Sequence, residues 1–260
     1  MKNLRMLTVT FSEELQPEEL ERFRGALVEK VGLEHERFHN HNNSQNGASL
    51  FHYKYPLVQY QLVRRCPRLV FLEDAIEDAR HFFMQSDWDL HMHEREYKTR
   101  IAELKATQHQ VGVTPGQFHN YRIRRWQALN TDNFQQYQSL ETLRERIVFL
   151  EKVLSGQVLS FFTGIGYQAP ERFRLDLTSL DRSWTTEYKG VRVSVFDAAF
   201  RAEVALPPCV GLGKGVRLGY GRVWGNPHCK KLLYETFSTN HDIVPGGYRS
   251  RRDGTGSSKT

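Results

Sequence analysis

The stretch Gly211-Leu212-Gly213-Lys214-Gly215-Val216-Arg217-Leu218-Gly219-Tyr220-Gly221-Arg222-Val223 carries glycine too densely for a helix or an ordinary strand. Glycine is costly in regular structure, so it gathers where the backbone takes positive φ or approaches a ligand closely. Lys214, Arg217 and Arg222 make that ligand an anion. Two phosphate loops are excluded by position. A Walker A loop needs glycine at 208 and Ser or Thr at 215, where Pro208 and Gly215 stand. A dinucleotide loop needs glycine at 216 or 218, where Val216 and Leu218 stand. Tyr220, Val223 and Trp224 then read as a strand rather than the helix either loop would feed.

Upstream, Leu4 to Phe11 reads as a strand, and Pro17 opens a helix with Leu20, Phe23, Leu27 and Val31 on one face before Gly32 ends it. Strands follow over Leu50 to Arg64 and Leu69 to Leu72, then a helix across Glu73 to Gln85 and an alternating strand around Trp88 to Tyr97. The order is β-α-β-β-α-β, a ferredoxin-like unit. Gly112, Pro115 and Gly116 mark a connection. The second half opens on a strand at Tyr121 to Leu129. A helical pattern from Asp132 puts Leu143, Ile147, Leu150 and Leu154 on one face until Gly164, and strands resume at Phe173 to Leu177, Val191 to Phe196 and Phe200 to Leu206. The expected fold class is therefore α+β, with two tandem ferredoxin-like (RRM-like) domains at 1–104 and 119–244, a linker at 105–118 and a tail at 245–260. The tail is rich in Gly, Ser, Arg and Thr, which predicts disorder or a linker into a fused domain.

The 260 residues leave room for two domains that each bury a core, and 39% hydrophobic content suffices for globular folding. A formal net charge of +6 and a pI near 9.2 agree with a polyanionic partner. Cys66, Cys209 and Cys229 form no CxxC pair, so neither a disulfide framework nor a zinc ribbon is indicated. Met1 to Arg5 lacks the apolar core of a signal peptide, and no stretch approaches the roughly 20 apolar residues needed to cross a bilayer. The expectation is a cytoplasmic protein with no membrane partner.

Three separated segments resemble one family. Gly211-Leu212-Gly213-Lys214 and Gly219-Tyr220-Gly221 are similar to the C-terminal glycine-rich loop of the CRISPR-associated endoribonucleases that cut repeat RNA into guides, the sixth CRISPR-associated family. Phe38-His39-Asn40-His41 with Phe51-His52-Tyr53-Lys54-Tyr55-Pro56-Leu57-Val58-Gln59-Tyr60 resembles the N-terminal half of one branch, and Tyr121-Arg122-Ile123-Arg124-Arg125-Trp126-Gln127-Ala128-Leu129-Asn130 is a third match. The insert Asn42 to Ser49 and the residues after Trp224 depart from the pattern. The resemblance implies metal-independent cleavage of CRISPR precursor RNA within repeats by the ribose 2′-hydroxyl, giving 2′,3′-cyclic phosphate and 5′-hydroxyl ends. Repeat RNA is the implied partner, with a CRISPR effector complex or a reverse transcriptase-integrase module as further ones. No cofactor and no metal are implied.

That chemistry needs a base, an acid and positive charge at the phosphorane oxygens. Of His35, His39, His41 and His52, which lie where the resemblance puts the catalytic residue, His41 is the first candidate and His39 the second. Tyr53 is the partner and Lys54 the electrostatic helper. Without the resemblance, histidines in an Asn-rich loop read as solvated surface. The RNA-binding candidates are Gly211, Gly213, Lys214, Gly215, Arg217, Gly219 and Gly221, together with Arg122, Arg124 and Arg125. Regular alternation on a strand would put Arg122, Arg124 and Trp126 on one face and Tyr121 and Arg125 on the other.

Two rivals remain. Gly219 to Trp224 partly matches the aromatic RNA-binding strand of noncatalytic RNA-recognition modules, with Arg222 at an aromatic position. His39-Asn40-His41 spells the name of the metal-dependent HNH nucleases, but no helix bearing the remaining ligand follows. His91 and His93 share a strand face that could hold a metal, beside Glu94, Arg95 and Glu96, which read as a wet face.

Overall fold

A computed structural model describes residues 1–32, 36–39, 55–85, 87–92, 95–188 and 190–225. The elements in chain order are β1 (Lys2–Phe11), α1 (Leu20–Val31), α2 (Glu36–His39), β2 (Val58–Val63), β3 (Cys66–Leu72), α3 (Ala75–Phe83), β4 (Leu90–Met92), β5 (Arg95–Tyr97) and β6 (Ile101–Val113), then β7 (His119–Trp126), α4 (Thr131–Ser139), α5 (Leu143–Gly164), β8 (Leu175–Tyr188), β9 (Val191–Ala202), β10 (Val204–Ala205) and β11 (Arg222–Trp224). They build a five-stranded sheet in the order β10-β6-β1-β3-β2 and a four-stranded sheet in the order β11-β7-β9-β8. Strands β4 and β5 form a separate hairpin.

Alternation along β1 and β3 divides two cores. Leu7, Val9 and Phe11 of β1, with Leu69 and Phe71 of β3, pack with the buried faces of α1 and α3. Leu4 and Met6, with Val70 and Leu72, join a second core shared with Ile123, Trp126 and the buried face of α5. Both faces of the first sheet are therefore covered, one by its own helices and the other partly by the C-terminal half. Helix α1 follows a 3-10 turn at Pro17–Glu19, where Gln16 and Glu19 form a capping box, and buries Leu20, Phe23, Leu27 and Val31 as the periodicity requires. Helix α5 starts at the Thr142/Glu145 capping box and buries Leu150, Leu154, Val158, Phe161 and Phe162.

The sequence reading departs from the structure at identifiable places. The connection expected to begin at Lys105 is strand through Val113, laddered against β1 from Lys2↔Val111 to Thr10↔Glu103. Its middle carries polar side chains on both faces, so hydrophobic alternation could not reveal it. The strand expected around Trp88 to Tyr97 is the β4–β5 hairpin, which does not join the five-stranded sheet. The three late strands are instead one long hairpin, β8–β9, with β10 crossing to the first sheet. Leu143 lies on the open side of α5, 66% exposed. By length and composition α5 also qualifies to cross a membrane, contrary to the reading that no stretch did. Its buried face packs into the core of the C-terminal half.

Glu203 ties the junction together. Its carboxylate accepts hydrogen bonds from the Gly116 N–H, the Arg174 N–H and the Arg174 guanidinium at 3.0, 3.0 and 2.6 Å. The Arg174 side chain and these backbone donors hold its pKa down at about 2. A carboxylate lowered from its ordinary value near 4.3 stabilises the fold above that value and loses its contribution as pH falls through about 2. Acid titration of melting temperature should therefore steepen between about pH 4 and 2, and Glu203→Gln should flatten that limb while lowering stability at neutral pH.

Candidate functional site

The glycine-rich segment is docked against strand β2, which follows the histidine loop. The Tyr55 hydroxyl donates to Gly211 O at 2.8 Å, and Gln59 receives the Gly211 N–H on Oε1 at 3.2 Å while its amide donates to the Tyr55 oxygen at 2.8 Å. Gln61 Nε2 donates to Cys209 O at 2.6 Å, and the Arg222 guanidinium donates to Leu62 O at 3.0 Å. Burial pushes the Tyr55 phenol well above its ordinary pKa, so it serves as a neutral donor. The apolar residues between the glycines supply the rest of the anchor. Leu212 and Val216 enter the core shared by the two halves, and Leu218 and Tyr220 enter the helix-side core of the first sheet.

Two of the glycine positions show why no other residue fits. Gly221 has φ 63°, and a Cβ there would lie 1.8 Å from Leu212 O. Gly213 has φ 95°, and its Cβ would lie 2.8 Å from Gln127 O. Backbone approaches backbone here, as glycine permits, but Gly211 and Gly221 are buried among protein groups. As they stand, those two cannot touch RNA. Lys214 is exposed, while Gly213, Gly215, Arg217 and Gly219 are half-buried. The structure thus assigns the segment a packing role that the sequence reading did not foresee.

Among the catalytic candidates, His41, Tyr53 and Lys54 lie outside the described residues, and His39 is the last residue of α2. Both flanks of the loop are fixed. Phe38 is fully buried, 5.9 Å from the Phe71 ring, and its carbonyl accepts the Tyr60 hydroxyl at 3.3 Å. Tyr55, on the far side of the loop, is buried against Phe161. Burial raises the Tyr60 pKa, while the positive charges of Arg24 in α1 and Arg217 in the glycine-rich segment oppose the rise. Charges from both halves of the chain thus act on the Tyr60 phenol. Arg24 escaped the sequence reading because nothing in the pattern of α1 separates it from a solvated arginine.

The arginines of β7 do not alternate as expected. The ladder to β9 shifts register between Ile123 and Trp126, and Arg125 sits at φ 47°. Such a bulge adds a residue and turns the next side chain. Arg124 and Arg125 consequently line one small pocket together, while Trp126 and Tyr121 are both buried. Arg124 lies 5.7 Å over the Trp224 ring and Arg125 4.4 Å over the Tyr220 ring. Arg122 stands apart, paired with Asp181 at 3.3 Å.

A larger cleft, of about 630 Å³, opens where the first sheet meets the C-terminal half. Arg68, Lys105, His109, His119 and Arg222 give it a basic lining, with Glu103 as its one carboxylate among the described residues. Burial and the neighbouring Lys105 charge lower the His109 pKa. Among the described residues no three His, Cys, Asp or Glu side chains gather in a metal-holding group, and His91 is exposed on β4.

Comparison with known proteins decides the family. A sequence model of the Cas6b N-terminal domain matches residues 2–110, and one of the Cas6b C-terminal domain matches residues 113–225. The chain belongs to the Cas6b family of CRISPR RNA processing endoribonucleases. The boundary between the two Cas6b matches falls at the end of β6. A crystal structure of a Cas6b superposes with a TM-score of 0.74 at 22% identity, covering 86% of this chain and 100% of the other. A second, described as a CRISPR RNA processing endoribonuclease Cas6b, gives 0.64 at 19% identity with the same coverage. The type IV Cas6 crRNA endonuclease Csf5 gives 0.52 at 11% identity, again over 86% and 100% of the two chains. An uncharacterised protein of Methanocaldococcus jannaschii is 27% identical over 127 residues, 49% of this chain and 85% of its own length.

Proposed function

We propose that this chain cuts CRISPR precursor RNA within its repeats by attack of a ribose 2′-hydroxyl on the adjacent phosphorus, without a metal, leaving 2′,3′-cyclic phosphate and 5′-hydroxyl ends. The observation that carries this reading is the docking of the glycine-rich segment, which bears Lys214 and Arg217, on β2, the strand next in sequence after the segment that carries His41. A proton must leave the 2′-oxygen as it bonds to phosphorus, and another must reach the departing 5′-oxygen. Histidine can exchange protons near neutral pH, whereas guanidinium stays charged and suits the phosphorane oxygens. His41, or His39 in its place, takes the proton-transfer role with Tyr53, and Lys54, Arg24 and Arg217 supply charge. Lys214 contributes from its exposed position.

The substrate is repeat RNA in the cytoplasm, and a CRISPR effector complex or a reverse transcriptase-integrase module would receive the guide. Each half is ferredoxin-like in this reading. The orders β6-β1-β3-β2 and β11-β7-β9-β8 support it, because in both the unit's first strand lies between its last and its third.

Cleavage in excess EDTA checks metal independence. The expected result is an unchanged single-turnover rate. Loss of cutting, restored by added divalent metal, would favour the metal-nuclease rival.

A further inference from the structure

Beside the histidine-loop stem, a separate small pocket is walled by arginine. Arg65 from the β2–β3 turn, Arg124 and Arg125 from β7, and Arg222 from β11 surround a space of about 80 Å³, closed by Pro17, Leu20, Leu62, Leu218 and Gly219. Among the described residues no carboxylate lines it. Glu14 meets Arg65 from outside at 3.2 Å, and Asp197 accepts the Arg125 backbone N–H at 2.8 Å. The Arg222 guanidinium donates to Leu62 O, and Arg124 and Arg125 lie over the Trp224 and Tyr220 rings, so the groups are held in place around a space worth a few waters, where an anion would offset their mutual repulsion.

The backbone makes the same point independently. Arg64 and Arg65 form the two-residue β2–β3 turn with φ 51° and 64°, and Arg125 has φ 47°. A two-residue hairpin turn with positive φ at both positions favours Asn-Gly, since a Cβ is strained there. Two of the four pocket arginines thus occupy positions where glycine would fit the backbone better. Strain kept at a charged side chain points to a use for that side chain.

We infer that the four arginines form a binding site for one backbone phosphate of the RNA, distinct from the scissile one. Guanidinium groups present fixed pairs of N–H donors that match phosphate oxygens. The β2–β3 turn and β7–β11 come from opposite halves of the chain, so a phosphate held here grips RNA across the junction. Leu218 and Gly219 of the glycine-rich segment line the pocket, so the segment docked on β2 also closes this site. The inference rests on the RNA-cleavage reading above.

The test is the full-length Arg65→Gly/Arg125→Gly variant. After the cut is mapped with the parent protein and unmodified repeat RNA, binding is measured on RNA carrying 2′-deoxyribose at the cut nucleotide. The expected result is affinity about ten- to a hundredfold weaker, with a plot of log affinity against log salt shallower by about 0.7, one phosphate's worth on a single strand. The single change Arg65→Gly should leave melting temperature equal to or above the parent's, because glycine relieves the turn. Lysine at both positions should recover most of the salt slope and less of the affinity. A lower melting temperature with unchanged RNA affinity would make these arginines structural and overturn the site. Inorganic phosphate that raises the parent's melting temperature but not the variant's, with equal RNA affinity, would make it a free-anion site and overturn the RNA assignment. A parent protein that neither binds nor cuts repeat RNA would overturn the cleavage reading and this one together. Parent binding matched by the variant would overturn this one alone.

Discussion

His41→Ala is expected to cut repeat RNA about a hundredfold to ten-thousandfold more slowly in single turnover, the usual contribution of a positioned acid or base. RNA affinity should hardly change, because a group acting only in proton transfer contributes little to the ground state. The separation of rate from affinity is the signature. The flank of the loop sharpens it: the Phe38 carbonyl is tied to Tyr60, and the charges of Arg24 and Arg217 act on that phenol. Those charges remain when the imidazole is removed, so binding survives while proton transfer fails. A His41→Ala protein that cuts normally while His39→Ala loses the same factor would move the role two residues earlier. Loss of affinity instead of rate would make His41 a positioning residue.

The second large effect is on the fold and, through it, on activity. Gly221→Ala places a methyl group 1.8 Å from Leu212 O at a backbone φ of 63°. A side chain in the left-handed region costs about 1–2 kcal/mol. Forcing atoms into a packed site costs about 1–3 kcal/mol more, at the upper end here because the obstacle is a carbonyl and cannot rotate away. A loss of about 4–5 kcal/mol should lower the melting temperature by roughly 10–15 °C in a chain of this size. Cleavage should fall with it even below the melting transition, since the Gly211, Cys209 and Arg222 bonds to β2 depend on this turn. Gly116→Ala is the control. Its φ is also positive, at 75°, but nothing lies within 4 Å of an added Cβ, so only the backbone cost applies. Equal melting temperatures for the two variants would show that close packing of the glycine-rich segment is not what its glycines provide.

The contrast between α1 and β6 explains how much of the fold could be read from sequence. Leu20, Phe23, Leu27 and Val31 recur at helical spacing because one face of α1 meets a core and the other meets water. Strand β6 has no such contrast. Glu103, Lys105, Thr107 and His109 line the basic cleft, and Leu104 is 55% exposed on the other face, so the strand is defined by its ladder to β1 rather than by burial. Backbone pairing leaves no mark on residue type, and the segment reads as a connection.

The candidate site was legible in the same uneven way. Glycine density marked where the chain must take positive φ, as at Gly213 and Gly221, but could not say whether a ligand or another stretch of protein filled the space. At Gly211 and Gly221 it is protein. The bulge at Arg125 was invisible because Arg-Arg is no signal for a bulge, so alternation sent Arg124 and Arg125 to opposite faces. Arg24 and Arg65 could be joined to the site only through tertiary structure, each being unremarkable in its own segment. His41, Tyr53 and Lys54 entered through family resemblance and sequence pattern, and they lie outside the described residues.

The most direct test of the account uses a repeat RNA with a single 2′-deoxyribose at the mapped cleavage nucleotide. That substitution removes the nucleophile and leaves the phosphates, bases and neighbouring riboses in place. The account predicts binding at the affinity of unmodified RNA and no cleavage at that position. Cutting at the unmodified rate would mean that water or a protein side chain attacks the phosphorus, and would contradict 2′-hydroxyl transesterification whatever the His41 variant does.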